Sequence, residues 1–281
     1  MYRFASVAIL AAGAAFLCAQ QKVYIEPPHD SGQGVTPAYE GWFSNSDGSF
    51  SLLFGYYNRN LKQELEIPIG PDNHIDPGGP DQGQPTHFLT RRRWGVFTIT
   101  VPKDFGGKKL TWTLVANGKT TQVPVGLDPL WELNPFKDAT GNTPPWIGFT
   151  QSGPFVNGPR GQSQSLSGTV QNPVPLTVWV ADDASVIPGA TRPKTPAVTL
   201  TWSKFRGPGN VTFAKDHPAI EDAQVQGAPN PVFSGKSSTT ATFSEPGEYV
   251  LNVLANDWTG DGGRGFQCCW SNAQVTVSIK K

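Results

Sequence analysis

Five side chains able to bind metals or move protons fall within one short stretch of this chain. They are Asp72, His74, Asp76, Asp81 and His87, all inside Pro68–His87 (PIGPDNHIDPGGPDQGQPTH). Carboxylates on a turn-rich loop suit Ca²⁺, and imidazole with carboxylate suits Zn²⁺ or Cu²⁺. The spacing is neither the D-x-[DN]-x-[DN]-G order of a calcium loop nor the H-E-x-x-H of a zinc helix. A solvated loop rich in Gly and Pro explains the stretch without any metal. If the chain carries a Ca²⁺ or Zn²⁺ site, these five residues are its expected ligands; otherwise no cofactor is expected.

Other chemistry-bearing residues are more scattered. Asp257 and Asp261 make a second oxygen-rich turn in Asn-Asp-Trp-Thr-Gly-Asp-Gly-Gly, which ordinary turn chemistry explains. Asp182 and Asp183 are paired in sequence, but neighbours in a strand point to opposite faces and do not make an acid/base pair. Arg91-Arg92-Arg93 reads as a solvated edge that discourages strand pairing, or as a contact for an anion or polysaccharide. Nucleophilic catalysis has no footing: G-x-S-x-G does not occur, and the His residues number only four, His29, His74, His87 and His217.

Cys268 and Cys269 are adjacent. Neighbouring Cα atoms lie about 3.8 Å apart, whereas disulfides prefer roughly 4.4–6.8 Å, so a vicinal bridge would be strained. Three arrangements stay open: two thiols on opposite faces of a strand, a vicinal disulfide, or an intermolecular bridge or metal site.

The elements that position these residues read as strands. Phe50, Leu52, Phe54 and Tyr56 alternate, as do Phe97, Ile99 and Val101, and Leu110, Trp112, Leu114 and Ala116. Asn117-Gly118 then marks a two-residue hairpin. Further along, Leu176, Val178 and Val180 share a face, as do Val198, Leu200 and Trp202, and Val275, Val277 and Ile279. No helical stripe of useful length interrupts them. With 31 Gly and 26 Pro among 281 residues, and no G-x-y period, the composition fits short strands joined by tight turns. The 9 Trp, 16 Phe and 6 Tyr exclude a disordered chain. Lys plus Arg equals Asp plus Glu at 22 each, so no net field draws nucleic acid or anionic membrane.

At the N-terminus, Arg3 precedes the apolar run Phe4–Leu17, followed by Cys18-Ala19 and the polar Gln20-Gln21. That order is a secretory signal peptide over residues 1–19, too short to span a bilayer. Leu17 before Cys18 argues against a lipoprotein signal.

The run Thr240–Asp257 (TATFSEPGEYVLNVLAND) resembles the closing strands of a polycystic-kidney-disease (PKD)-type domain, and related immunoglobulin-like and cadherin-like modules share its pattern. Leu200-Thr-Trp202 and Gly207-Pro-Gly209-x-Val-x-Phe213 fit the same family. The resemblance covers roughly Pro173 to Ile279. It implies an extracellular or periplasmic scaffold that spaces or binds, brings no catalytic residues, and places Tyr249 at a corner where its hydroxyl bonds back to nearby backbone.

The expected fold is therefore all-β: two immunoglobulin-like antiparallel β-sandwich domains with a Pro- and aromatic-rich connector. The expected boundaries are 35–126 for the first domain, 127–160 for a packed connector and 161–281 for the PKD-like domain. The expected function is that of an exported, non-enzymatic surface or periplasmic adhesion, spacer or binding module. Its partner would be a protein or polysaccharide at the cell surface, with no nucleic acid and no membrane span. The alternative is a secreted metal-dependent enzyme or metal binder using the 68–87 loop.

Overall fold

Two residues set a tight hairpin turn in the N-terminal half. Asn117 and Gly118 take φ of 49° and 73°, the left-handed pair that a two-residue hairpin needs, so Leu110–Ala116 folds back on Lys119–Val125 with Ala116 opposite Lys119. Alternation in the first of these strands sends Leu110, Trp112, Leu114 and Ala116 inward. The structure, a computed structural model, describes Pro27, residues 29–139, 141–186, Gly189, 196–258 and 268–281. The expected signal peptide and Asp261 lie outside these residues. Among the described residues the only helical elements are two 3₁₀ turns, Pro129–Trp131 and Gly158–Arg160. None is long and apolar enough to cross a membrane.

The N-terminal block pairs the hairpin with Asn73–Asp76 in one antiparallel sheet. A second antiparallel sheet runs in the order Val35–Ser44, Phe50–Asn58, Arg91–Val101. A short ladder, Leu65–Glu66 against His87–Phe88, sits beside them. Inner faces of both sheets meet in one core around Trp112. Phe97 meets the Trp112 ring edge-on at 5.1 Å, Phe54 does so at 6.0 Å, and Phe54 stacks on Phe97 at 4.8 Å. Phe50–Asn58 is buried on both faces, although its alternation predicts one. The connector packs on the neighbouring strand Val35–Ser44: Phe136 meets Phe43 edge-on, and Leu133 N–H bonds the Trp42 carbonyl.

The C-terminal block is also two sheets over one core. Four strands run in the order Ser163–Thr169, Trp270–Lys280, Gly247–Asn256, Thr199–Arg206. The facing sheet is built on Val174–Asp182 and Phe233–Phe243, with Val211–Phe213 beyond. Leu176, Val178, Leu200, Leu251, Val253 and Val277 from the two sheets fill the space between. Both blocks are thus β-sandwiches, as the alternation requires. One pair departs from the expected antiparallel scheme: Ser163–Thr169 runs parallel to Trp270–Lys280. A parallel pair needs a long crossover, and here nearly the whole block lies between the two strands. Trp146–Gly148 pairs with Val174–Asp182, so the connector is shared, its first part on the N-terminal block and its last part in the C-terminal sheet.

Candidate functional site

The 68–87 stretch is tied down side chain by side chain. Asp72 lies in the turn before Asn73–Asp76, and its carbonyl accepts Val115 N–H at 2.8 Å. His74 and Asp76 share one face of that strand, Nε2 to Oδ2 3.3 Å apart. Asp81 receives the fork of Arg206, at 3.1 and 2.8 Å, and the N–H of Gly83. His87 holds Glu66 Oε1 at 2.7 Å through Nδ1 and Glu64 Oε2 at 2.9 Å through Nε2. Lys204, nearly buried, donates to the same Glu66 oxygen at 2.6 Å and to the Gly209 carbonyl at 2.8 Å. Among the described residues no three His, Cys, Asp or Glu side chains converge as metal ligands. The five expected ligands are therefore not brought together here: Asp81 and His87 face partners from elsewhere, and His74 and Asp76 face each other.

Those partners make a seam between the blocks. Arg206 Nε donates to the Gln84 carbonyl at 2.8 Å, and Thr86 N–H donates to the Phe205 carbonyl at 3.1 Å. Phe205 itself sits in the N-terminal core. Asn272 donates to the Gly95 carbonyl at 2.6 Å. The charges tune one another across this seam. Hydrogen bonding to Arg206 holds the Asp81 carboxyl below its ordinary range. Burial works against charge on His87, but the two glutamates outweigh it and its pKa is raised. Burial likewise opposes charge on Glu66, yet His87 and Lys204 leave its pKa lowered; Glu64 is lowered chiefly by its bond to His87. With both ring nitrogens of His87 engaged by glutamates, the cluster fastens the two blocks together.

The arginine run is bound in as well. Arg92 Nη2 pairs with the buried carboxylate of Glu40, and the guanidinium lies 3.9 Å over the Trp94 ring. Arg93 donates to the Thr90 carbonyl at 3.1 Å. Its strand pairs with Phe50–Asn58 through Arg91, Arg92 and Arg93, so the run does not block pairing on that side. Cys268 and Cys269 are joined in a vicinal disulfide, both buried, which selects one of the three open arrangements.

An open groove occurs where the sequence reading places no site. It encloses about 590 Å³ between the Gly106–Lys109 loop, the Val123–Leu127 end of the hairpin and the Pro129–Trp131 turn. Asp128 caps that turn by accepting Leu130 N–H at 2.9 Å, and its carbonyl receives Trp42 Nε1–H at 2.8 Å. These bonds fix the turn so that Leu130 is 91% and Trp131 48% exposed. Trp131 also sits 5.5 Å from the Tyr39 ring, whose hydroxyl is anchored on the Gly126 carbonyl at 2.6 Å. Lys108 and Lys109 line the same groove, and among the described residues neither has an ion-pair partner. The aromatics of the connector read as packing residues in the sequence. The apolar pair Leu130-Trp131, between Pro129 and Glu132, is the one hint that this turn faces outward.

No protein-family model and no curated protein matches the chain. Solved structures resemble it at low scores. Dpr2 Ig1–Ig2, in complex with DIP-Theta Ig1–Ig3, gives a TM-score of 0.27 at 10% identity, over 88% of this chain and 66% of that one. The D00–D0 domain of intimin gives 0.26 at 11%, over 88% and 100%. Zebrafish RET cadherin-like domains 1 to 4 give 0.25 at 13%, over 81% and 48%. The chain thus spans just under two thirds of the Dpr2 chain and about half of the RET chain. Likeness at this level carries no argument about function.

Proposed function

We propose that this chain is an exported, non-enzymatic binding module that presents the Trp131 groove to an acidic polysaccharide at the cell surface or in the periplasm. In this reading residues 1–19 are removed on export, and two sandwich domains, 35–126 and a PKD-type 161–281, are fastened by the seam into one rigid support. No cofactor takes part. The observation that carries the reading is the groove itself. A half-exposed indole, pinned beside Tyr39, offers a flat apolar face for a sugar ring, and the two lysines beside it suit carboxylated sugars. A protein partner would use the same groove differently, through the projecting Leu130.

Titration with oligogalacturonate, with a neutral glucan oligomer and with an acidic peptide as rivals, tests this by Trp fluorescence. The acidic oligosaccharide should bind, and Trp131→Ala should weaken it roughly thirtyfold, as expected when an anchor worth about 2 kcal/mol is lost. Lys108→Glu with Lys109→Glu should abolish it. Preference for the peptide or the neutral glucan, or binding unchanged in Trp131→Ala, refutes the reading.

A further inference from the structure

Arg160 is a cation that the fold holds in place without using its charge. It closes the Gly158–Arg160 turn, which Gly158 N–H pins to Ser271 Oγ at 2.7 Å. Gly158 takes φ of 67°, and a Cβ there would lie 2.8 Å from the Phe136 ring, so glycine lets the turn press onto that ring. The Arg160 guanidinium then sits over the same ring, 4.0 Å from its centroid. Arg160 is exposed, and among the described residues it has no hydrogen-bond or ion-pair partner. Its N–H fork is therefore positioned and open to a ligand.

Two clefts meet at this side chain. One, about 370 Å³, runs between Val96–Thr98 of the N-terminal block and residues 159–163 and 274 of the C-terminal block. The other, about 340 Å³, opens between Thr98, Thr100 and the turn around Asp47. Thr98 and Arg160 line both, so the two make one trough across the blocks. Alternation sets its lining: Thr98 and Thr100 interleave with the core residues Phe97, Ile99 and Val101, and Gln274 stands between Ala273 and Val275. Among the described residues the side chains of Thr98, Thr100, Ser163 and Gln274 make no hydrogen bond. Asp47, which accepts Ser49 N–H at 2.9 Å and Ser49 Oγ–H at 2.6 Å, is the one other charged residue described along the trough.

We infer that this trough is a second saccharide site, one that reads a single uronic-acid carboxylate beside neutral sugars. A guanidinium fork matches a carboxylate through two parallel bonds. Hydroxyls and amides both donate and accept, as a sugar's own hydroxyls require. One cation faces one acid here, so Asp47 repels a phosphate dianion or a run of uronates, whereas a single carboxylate meets the charge of Arg160. The Trp131 groove, with two lysines, suits the repeated carboxylates instead. The trough shares that ligand family but none of the groove's residues, and it stands whether or not the groove binds.

The test is calorimetric titration of the full chain carrying Trp131→Ala, so that the groove does not contribute. The probe is aldobiouronic acid, one uronate linked to one neutral sugar, with cellobiose and inorganic phosphate as rivals. The acid disaccharide should bind at least tenfold more tightly than either rival. Adding Arg160→Ala should weaken it at least tenfold, and Arg160→Lys, which keeps the charge and loses the fork, should weaken it severalfold. Asp47→Asn should narrow the margin over phosphate. Arg160 is exposed, so all of these chains should melt together. No binding of the acid disaccharide, equal binding of cellobiose or phosphate, or affinity unchanged by Arg160→Ala overturns the inference.

Discussion

Replacing Tyr249 by Phe removes a single oxygen from a corner of the C-terminal core. That hydroxyl donates to the Glu245 carbonyl at 2.9 Å and accepts Gly209 N–H at 3.1 Å. Glu245 is exposed and regains water, but Gly209 is buried and its N–H would be stranded. One ordinary bond plus one stranded donor amounts to about 2 kcal/mol. Tyr249→Ala also empties the volume of a ring that is 0% exposed and 4.7 Å from Phe243, and should cost about 4 kcal/mol. The same ring occupies the space a side chain at Gly207 would need: with φ at 142°, an added methyl there would fall inside it. Gly207→Ala should therefore cost several kcal/mol in the wild type, and clearly less in Tyr249→Ala, where only backbone strain remains. Urea unfolding of the wild type and these four variants measures all of this. Wild-type stability in Tyr249→Phe would mean the hydroxyl is solvated, and additive losses in the double variant would mean the ring does not fill the Gly207 corner.

The seam gives a pH profile. The raised pKa of His87 makes its contribution complete below its ordinary 6.5 and lost as pH climbs through the raised value. The lowered carboxyls Glu64 and Glu66 contribute above 4.5 and lose that contribution as pH falls through their lowered values. Stability owed to this cluster should peak between those limits, and His87→Gln should remove the alkaline limb in melting curves; an unchanged limb refutes it. Reduction of Cys268–Cys269 should shift the melting midpoint by less than about 3 °C, because a bridge between neighbours closes almost no loop. A larger drop would show that the bridge stabilises the fold by another route.

What was legible follows from the range of the signal. Alternation and turn chemistry are local, so the Asn117-Gly118 hairpin, the inward set from Tyr249 to Ala255 and the Tyr249 corner are all readable in the amino-acid sequence. Such signals say which face is buried and nothing about what buries it. The double-sided burial of Phe50–Asn58 shows this, since its alternation marks one inner face and the strand is buried on both. The parallel pairing of Ser163–Thr169 was hidden for the same reason: its polar alternation looks alike in either direction.

The chemistry-bearing residues are instructive in another way. Proximity in sequence gathered Asp72, His74, Asp76, Asp81 and His87, but a loop of that length has room to send each side chain to a different partner. Asp81 meets Arg206 and Glu66 meets Lys204 across separations of 125 and 138 residues. No pattern in a single chain marks such pairs, because a cation at position 204 or 206 reads only as one more polar residue on a strand. The reverse holds for Asn142 and Asp257, which stand 115 residues apart in the chain and meet through a hydrogen bond in the fold. Clustering in sequence measures what a loop is made of. Contact in space measures which of those side chains the fold has already put to use.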